Sequence, residues 1–143
     1  MATARTAEVV WHGNLTHGDG TIISTTSGVL PQLPVSWAAR TEEPNGKTSP
    51  EELIAAAHAA CFAMALSHGL AEAGFTAETL STSSTVTFEP GVGITTAHLT
   101  VLGTVPGMAA DDFLSAAEGA KAGCPVSQAL AGVEITLDAK FAG

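Results

Sequence analysis

No tyrosine occurs in this sequence, and only two tryptophans and five phenylalanines stand among its 143 residues. A core made from it must be packed mainly by alanine, valine and leucine. With 45% apolar residues there is still enough material for a real core, and the length fits a single domain over 1–143. Positive charge is equally scarce: five lysines and arginines face fourteen carboxylates, for a net charge of -9. Such a surface repels phosphate backbones and anionic headgroups, so nucleic acid and membrane surfaces are poor partners. The N-terminus lacks a basic segment followed by an apolar one, so no signal peptide is expected. The longest apolar run, Leu53 to Leu66, is interrupted by His58 and is too short to span a bilayer. These absences together lead to the expectation of a cytoplasmic protein with no membrane association.

Cysteine is also rare. Cys61 and Cys124 are the whole complement, so there is no CxxC motif and no secreted disulfide framework. A bond between them in a reducing compartment would be redox-active rather than structural. The five histidines form no HExxH and no paired spacing suited to zinc, and the hairpin glycines Gly13, Gly18 and Gly20 do not open a helix after a strand. Neither a metal nor a nucleotide cofactor is expected.

What is present reads as strands and helices in separate stretches. Val9 to Trp11 and Thr21 to Ser27 form a hairpin around a turn-rich segment, and Val35 to Ala38 is a short strand. A loop over Thr41 to Thr48 precedes the clearest element. There Ser49 is the N-cap, Pro50 takes the first helical position and Glu52 completes a capping box. The helix runs to Ala73, where Gly74 stops it. It is apolar or small on every face from Leu53 to Leu66, so it should be buried all round. One chain of this size would struggle to wrap it, which leads to a homodimer. A second hairpin, Glu78 to Phe88 with Ile94 to Thr104, is followed by helices over Ala109 to Ala122 and Pro125 to Ala131. An alternating strand, Val133 to Phe141, ends the chain. Segregated strands and helices imply an α+β fold.

Four residues stand out as candidates for chemistry, with a fifth beside them. Cys61 lies in mid-helix, where a thiol taken alone is more often an inert core residue than a nucleophile. Apolar surroundings raise its pKa, so reactivity needs a nearby cation. Arg40, one of two arginines, follows the apolar stretch Val35 to Ala39 and is the candidate, although a solvated loop arginine fits equally. Glu51 could orient Arg40, or could simply complement the helix dipole. Ten residues rotate a helix by about 280°, so Glu51 and Cys61 do not share one stripe. Cys124, in Gly123-Cys-Pro125, sits at a loop-to-helix junction, which suits a mobile resolving thiol. His58, three residues before Cys61, could activate it or could be a hydrogen-bonded core histidine.

These residues resemble a known pattern. Ser49-Pro-Glu-Glu-Leu-Ile-Ala-Ala-Ala-His-Ala-Ala-Cys-Phe62 resembles the central-helix motif of the OsmC/Ohr family, and Cys124-Pro-Val-Ser127 resembles its second-cysteine motif. Trp11-His-Gly-Asn-Leu, Gly18-Asp-Gly20 and Ser27-Gly-Val-Leu30 resemble its N-terminal hairpin. The order is kept along essentially the whole chain, and the flavour is that of the OsmC branch. The resemblance implies an intertwined homodimer with long central helices backed by antiparallel sheets. It also implies a thiol peroxidase acting on organic hydroperoxides, and on H2O2 as well. Cys61 then matches the peroxidatic cysteine, Cys124 the resolving one, Arg40 the activating arginine and Glu51 the carboxylate that holds it. The expected product of the cycle is a Cys61–Cys124 disulfide, reduced by an external dithiol such as a dihydrolipoyl protein. A redox sensor, or a small apolar-ligand-binding dimer without turnover, are the alternatives.

Overall fold

A computed structural model describes all residues, Met1–Gly143. The fold is α+β. In chain order the elements are β1 (Ala7–His12), β2 (Asp19–Thr25), β3 (Leu33–Val35), α1 (Trp37–Thr41) and α2 (Pro50–Glu72). They continue with β4 (Thr79–Glu89), β5 (Gly93–Thr104), α3 (Ala110–Gly123), α4 (Pro125–Ala129) and β6 (Glu134–Phe141). The chain forms two compact units, Met1–Leu53 and Ile54–Gly143, and α2 runs through the join.

In the first unit an antiparallel sheet has the order β1-β2-β3. Gly20 on β2 is there for space: a Cβ would meet the Trp11 ring at 2.7 Å and the Val35 side chain at 2.8 Å. The short strand expected at Val35 to Ala38 is corrected. The strand is Leu33–Val35, and the chain then turns into α1. Ser36 caps that helix, its Oγ accepting from the Ala39 N–H at 3.1 Å.

Helix α2 starts as its sequence requires, with one difference. Ser49 Oγ accepts from the Glu52 N–H at 3.2 Å, but the Glu52 carboxylate accepts from the Thr48 hydroxyl at 2.6 Å. The reciprocal half of the capping box goes to a neighbouring side chain instead. Gly74, at φ +90°, ends the helix in the left-handed conformation that a side chain disfavours.

A single chain covers α2 on one side only. Within this chain one stripe is buried: His58, Phe62, Leu66 and Leu70. Ala56, Ala57 and Ala60 are exposed, and Met64 is 72% exposed. By length and composition the 23-residue helix could cross a membrane, which the interrupted run of apolar residues understated. It carries Glu51, His58 and Cys61 along its length, and a core helix of a soluble protein meets the same criteria.

In the second unit β4-β5-β6 form a sheet, β4 antiparallel and β6 parallel to β5. The buried stripe of α2 belongs to the same core as Leu99, Val101, Val105, Phe113 and Ala117. Gly103 on β5 leaves room for the Phe113 ring, which a Cβ at that position would overlap. Helix α3 ends at Gly123, and Cys124 links it directly to α4.

Candidate functional site

The four singled-out residues fall into two pairs, one in each unit. In the first unit Arg40 ends α1 and Glu51 lies in the first turn of α2. Their contact is bidentate. Arg40 Nε donates to Glu51 Oε1 at 2.9 Å and to Oε2 at 3.1 Å, and Nη2 donates to Oε2 at 2.9 Å. The Glu51 side chain is 8% exposed and that of Arg40 28%. This geometry fixes the plane of the guanidinium, which a lysine could not do. Arg40 also lies over the Trp37 ring, its Cζ 5.9 Å from the centroid. Beside the pair an apolar cleft of about 280 Å³ is lined by Val9, Trp11, Ile22, Trp37, Arg40 and Leu53. One face of the guanidinium side chain therefore borders a space suited to hydrocarbon.

In the second unit Cys61 and Cys124 are both free thiols, and their side chains lie within interaction distance of each other. Two cysteines 63 positions apart are brought together because α2 and the α3–α4 junction contribute to one core. Cys61 is half-buried, whereas Cys124 is fully buried. Burial pushes the Cys61 thiol above its ordinary value, and the Cys124 side chain adds to the rise. The Val126 backbone N–H offsets this only in part. Burial acts on Cys124 in the same sense but is outweighed. The Cys61 side chain, the Ser127 backbone and hydroxyl and the Val126 backbone all favour its thiolate, so Cys124 lies below the ordinary value.

His58 does not serve as a partner of Cys61 here. Its Nε2 lies 2.7 Å from Ser127 Oγ, and both residues are buried. Burial holds the imidazole below its usual pKa, so it is neutral at pH 7. His58 Nδ1 is buried without a hydrogen-bond partner. Ser127 was not singled out from the sequence. Its partner His58 is 69 positions away, so no local pattern in Cys124-Pro-Val-Ser127 marks the contact.

The arrangement offers a solvent-reachable thiol, a second thiol against it, and a separately fixed guanidinium beside an apolar cleft. Proteins of known identity share this chain's features. The family model for OsmC-like protein matches residues 43–138. Peroxiredoxin OsmC of Escherichia coli (strain K12) is 47% identical over 141 residues, 96% of each chain. The organic hydroperoxide resistance protein OsmC of Legionella pneumophila superposes with a TM-score of 0.69 at 27% identity, covering 94% of this chain and 96% of that one. An OsmC-like protein from Mycoplasma pneumoniae, at 16% identity, shares the fold over the full length of both chains with a TM-score of 0.74. By sequence along nearly all its length and by fold, the chain belongs to the OsmC-like protein family.

Proposed function

We propose that this protein is a thiol-dependent hydroperoxide reductase in which Cys61 attacks the peroxide and Cys124 resolves the oxidised product. One observation carries the reading: the two cysteines face each other, and only Cys61 is open to solvent. The relatives support it. The Escherichia coli protein at 47% identity is named a peroxiredoxin, and the Legionella protein an organic hydroperoxide resistance protein.

The Cys61 thiolate attacks the distal oxygen of ROOH, forming an S–O bond as the O–O bond breaks. The departing alkoxide takes a proton to give ROH, and Cys61 is left as a sulfenic acid. The Cys124 thiolate then attacks that sulfur. An S–S bond forms, the S–O bond breaks, and hydroxide leaves and is protonated to water. An external dithiol reduces the disulfide by exchange. A dihydrolipoyl protein fits that role, since its two thiols close a ring on leaving.

Within its own unit Cys61 has little to stabilise a negative charge. Arg40, oriented by Glu51, is the cation that answers this need. A guanidinium beside Cys61 would draw negative charge there and leave the shared proton on Cys124. The apolar cleft next to Arg40 favours alkyl hydroperoxides over H2O2, since burying an alkyl group adds about 0.8 kcal/mol per methylene. The working form is a homodimer in which a second copy covers the exposed small-residue face of α2. Both units of each chain serve as one functional domain.

The test is intact mass and thiol count after one equivalent of cumene hydroperoxide. The reading requires a loss of two hydrogens per chain with both thiols gone. Unchanged mass with two free thiols would refute it and favour the apolar-ligand reading. Disulfide formation without turnover by any dithiol would instead indicate a sensor.

A further inference from the structure

Two buried polar residues stand behind the cysteine pair with no part in the chemistry described so far. His58 and Ser127 come from elements 69 positions apart in sequence, and their side chains meet at 2.7 Å. Each lies three positions from a cysteine: His58 precedes Cys61 on α2, and Ser127 follows Cys124 into α4. His58 is fully buried and Ser127 is 5% exposed. A buried polar group must find a hydrogen-bond partner or cost stability, and these two side chains find each other.

The proton positions follow from the surroundings. An orphaned N–H in a protein interior is rarer and costlier than an orphaned lone pair. His58 Nδ1 is the orphan, so the proton of the neutral ring is assigned to Nε2. Nε2–H then donates to Ser127 Oγ. That leaves the Ser127 hydroxyl proton free to point at the Cys124 sulfur, with which the Ser127 side chain interacts. The chain runs in one direction, from His58 Nε2–H to Ser127 Oγ–H to Cys124 Sγ. Successive bonds of this kind reinforce one another, and their acceptor end favours negative charge.

We propose that His58 and Ser127 are positioning residues for the resolving step, holding Cys124 ready to attack as a thiolate once Cys61 has been oxidised. The timing supplies the reason. In the reduced enzyme the charge drawn to Cys61 leaves the shared proton on Cys124. Oxidation of Cys61 to the sulfenic acid removes that competing thiolate, and Cys124 must then carry charge. The support that remains comes from Ser127 and from the Val126 and Ser127 peptides. The titratable groups at this contact are Cys61 and His58 on α2 and Cys124 at the head of α4. In the step itself the Cys124 thiolate forms the S–S bond and the sulfenic S–O bond breaks. The proton that Cys124 shed to solvent is balanced by the one the departing hydroxide takes up. His58 gains and loses no proton.

This inference rests on the proposed Cys61–Cys124 chemistry, and one experiment separates the two. Disulfide formation is timed after one equivalent of cumene hydroperoxide, with dimedone present to trap Cys61 sulfenic acid, across about pH 5.5 to about pH 9. In Ser127→Ala and His58→Leu, disulfide formation should slow about tenfold near pH 7, and dimedone adduct should accumulate. The deficit should shrink as pH rises, because Cys124 then ionises unaided. His58→Gln, whose side-chain amide restores an N–H donor, should stay near the wild-type rate. Equal slowing at every pH, or no adduct in Ser127→Ala, would overturn the role given to the pair. Should His58→Leu fail to fold, Ser127→Ala removes one oxygen atom and still decides the matter. If the wild type forms neither sulfenic acid nor disulfide, the two-cysteine reading fails and this role falls with it.

Discussion

Arg40 and Glu51 meet through two donors and both carboxylate oxygens, so the shape of the cation matters as well as its charge. Arg40→Lys keeps the charge but loses the fork. It should lower kcat/KM by about tenfold or more in a coupled peroxidase assay, close to the loss in Arg40→Ala. Full activity in the lysine variant would show that only charge is needed. Arg40→Ala also leaves the Glu51 carboxylate buried without its partner, at a cost of about 2 kcal/mol in urea unfolding. The cysteines make a separate prediction. Cys124 lies below its ordinary pKa partly because the Cys61 side chain favours its thiolate. Cys61→Ala removes that support, so the thiolate absorbance of Cys124 should appear at higher pH than the first thiolate of the wild type. An unshifted titration would mean the two thiols do not share charge. Each pair was legible from sequence as a set of residue types. Cys61 needed a cation, Arg40 was nearly the only one on offer, and Glu51 stood free once Glu52 was given to the cap. Ser127 was not legible in the same way, because its partner His58 is 69 positions away and only the tertiary fold brings them together.

Helix α2 carries a signal at each end and one in the middle. At its start, Ser49 Oγ holds the Glu52 N–H, so Ser49→Ala should cost about 1 kcal/mol, measured by urea unfolding. Glu52→Gln should cost much less, because its carboxylate contacts only the exposed Thr48 hydroxyl. In the middle, His58 is buried and its folded pKa is depressed, so the unfolded chain binds a proton that the native protein refuses. His58 therefore costs nothing above the unfolded pKa of about 6.5, and stability falls as pH drops below it. The thermal midpoint should decline more steeply below about pH 6.5 in the wild type than in His58→Gln, whose amide does not titrate. Parallel curves would contradict the buried neutral ring. The ends of α2 were readable because Ser-Pro and Gly each have a local physical role that needs no neighbours. Helix α1 was missed because five residues are too few for a period to show, and its one signal, Ser36 as a cap, stood inside an apolar run that also fits a strand. Composition says that a face of α2 is apolar, not what covers it.

On the scale of the whole molecule, what most needs explaining is the apolar surface this chain leaves open. Every residue of β1 is exposed, Val9 at 56% among them, and Met64 on α2 is 72% exposed. Exposed apolar residues scattered singly need no explanation, but a continuous small-residue helix face with Ala56, Ala57, Ala60 and Met64 is a packing surface. Small residues on such a face would let a second helix approach closely. Sedimentation of the wild type at micromolar concentration should therefore give two chains, and Met64→Glu combined with Ala60→Glu should give one. Dissociation should also make the thermal midpoint independent of protein concentration, which it is not for an obligate dimer. A wild type that sediments as a single chain would leave the face without its proposed cover. The activity of the double variant then decides a further point. If turnover per chain falls with the dimer while Cys61 and Cys124 still form their disulfide under a strong oxidant, the cysteine pair is complete in one chain and its activation is not. If turnover is unchanged, everything the reaction needs lies within a single copy, and the dimer serves only to cover α2.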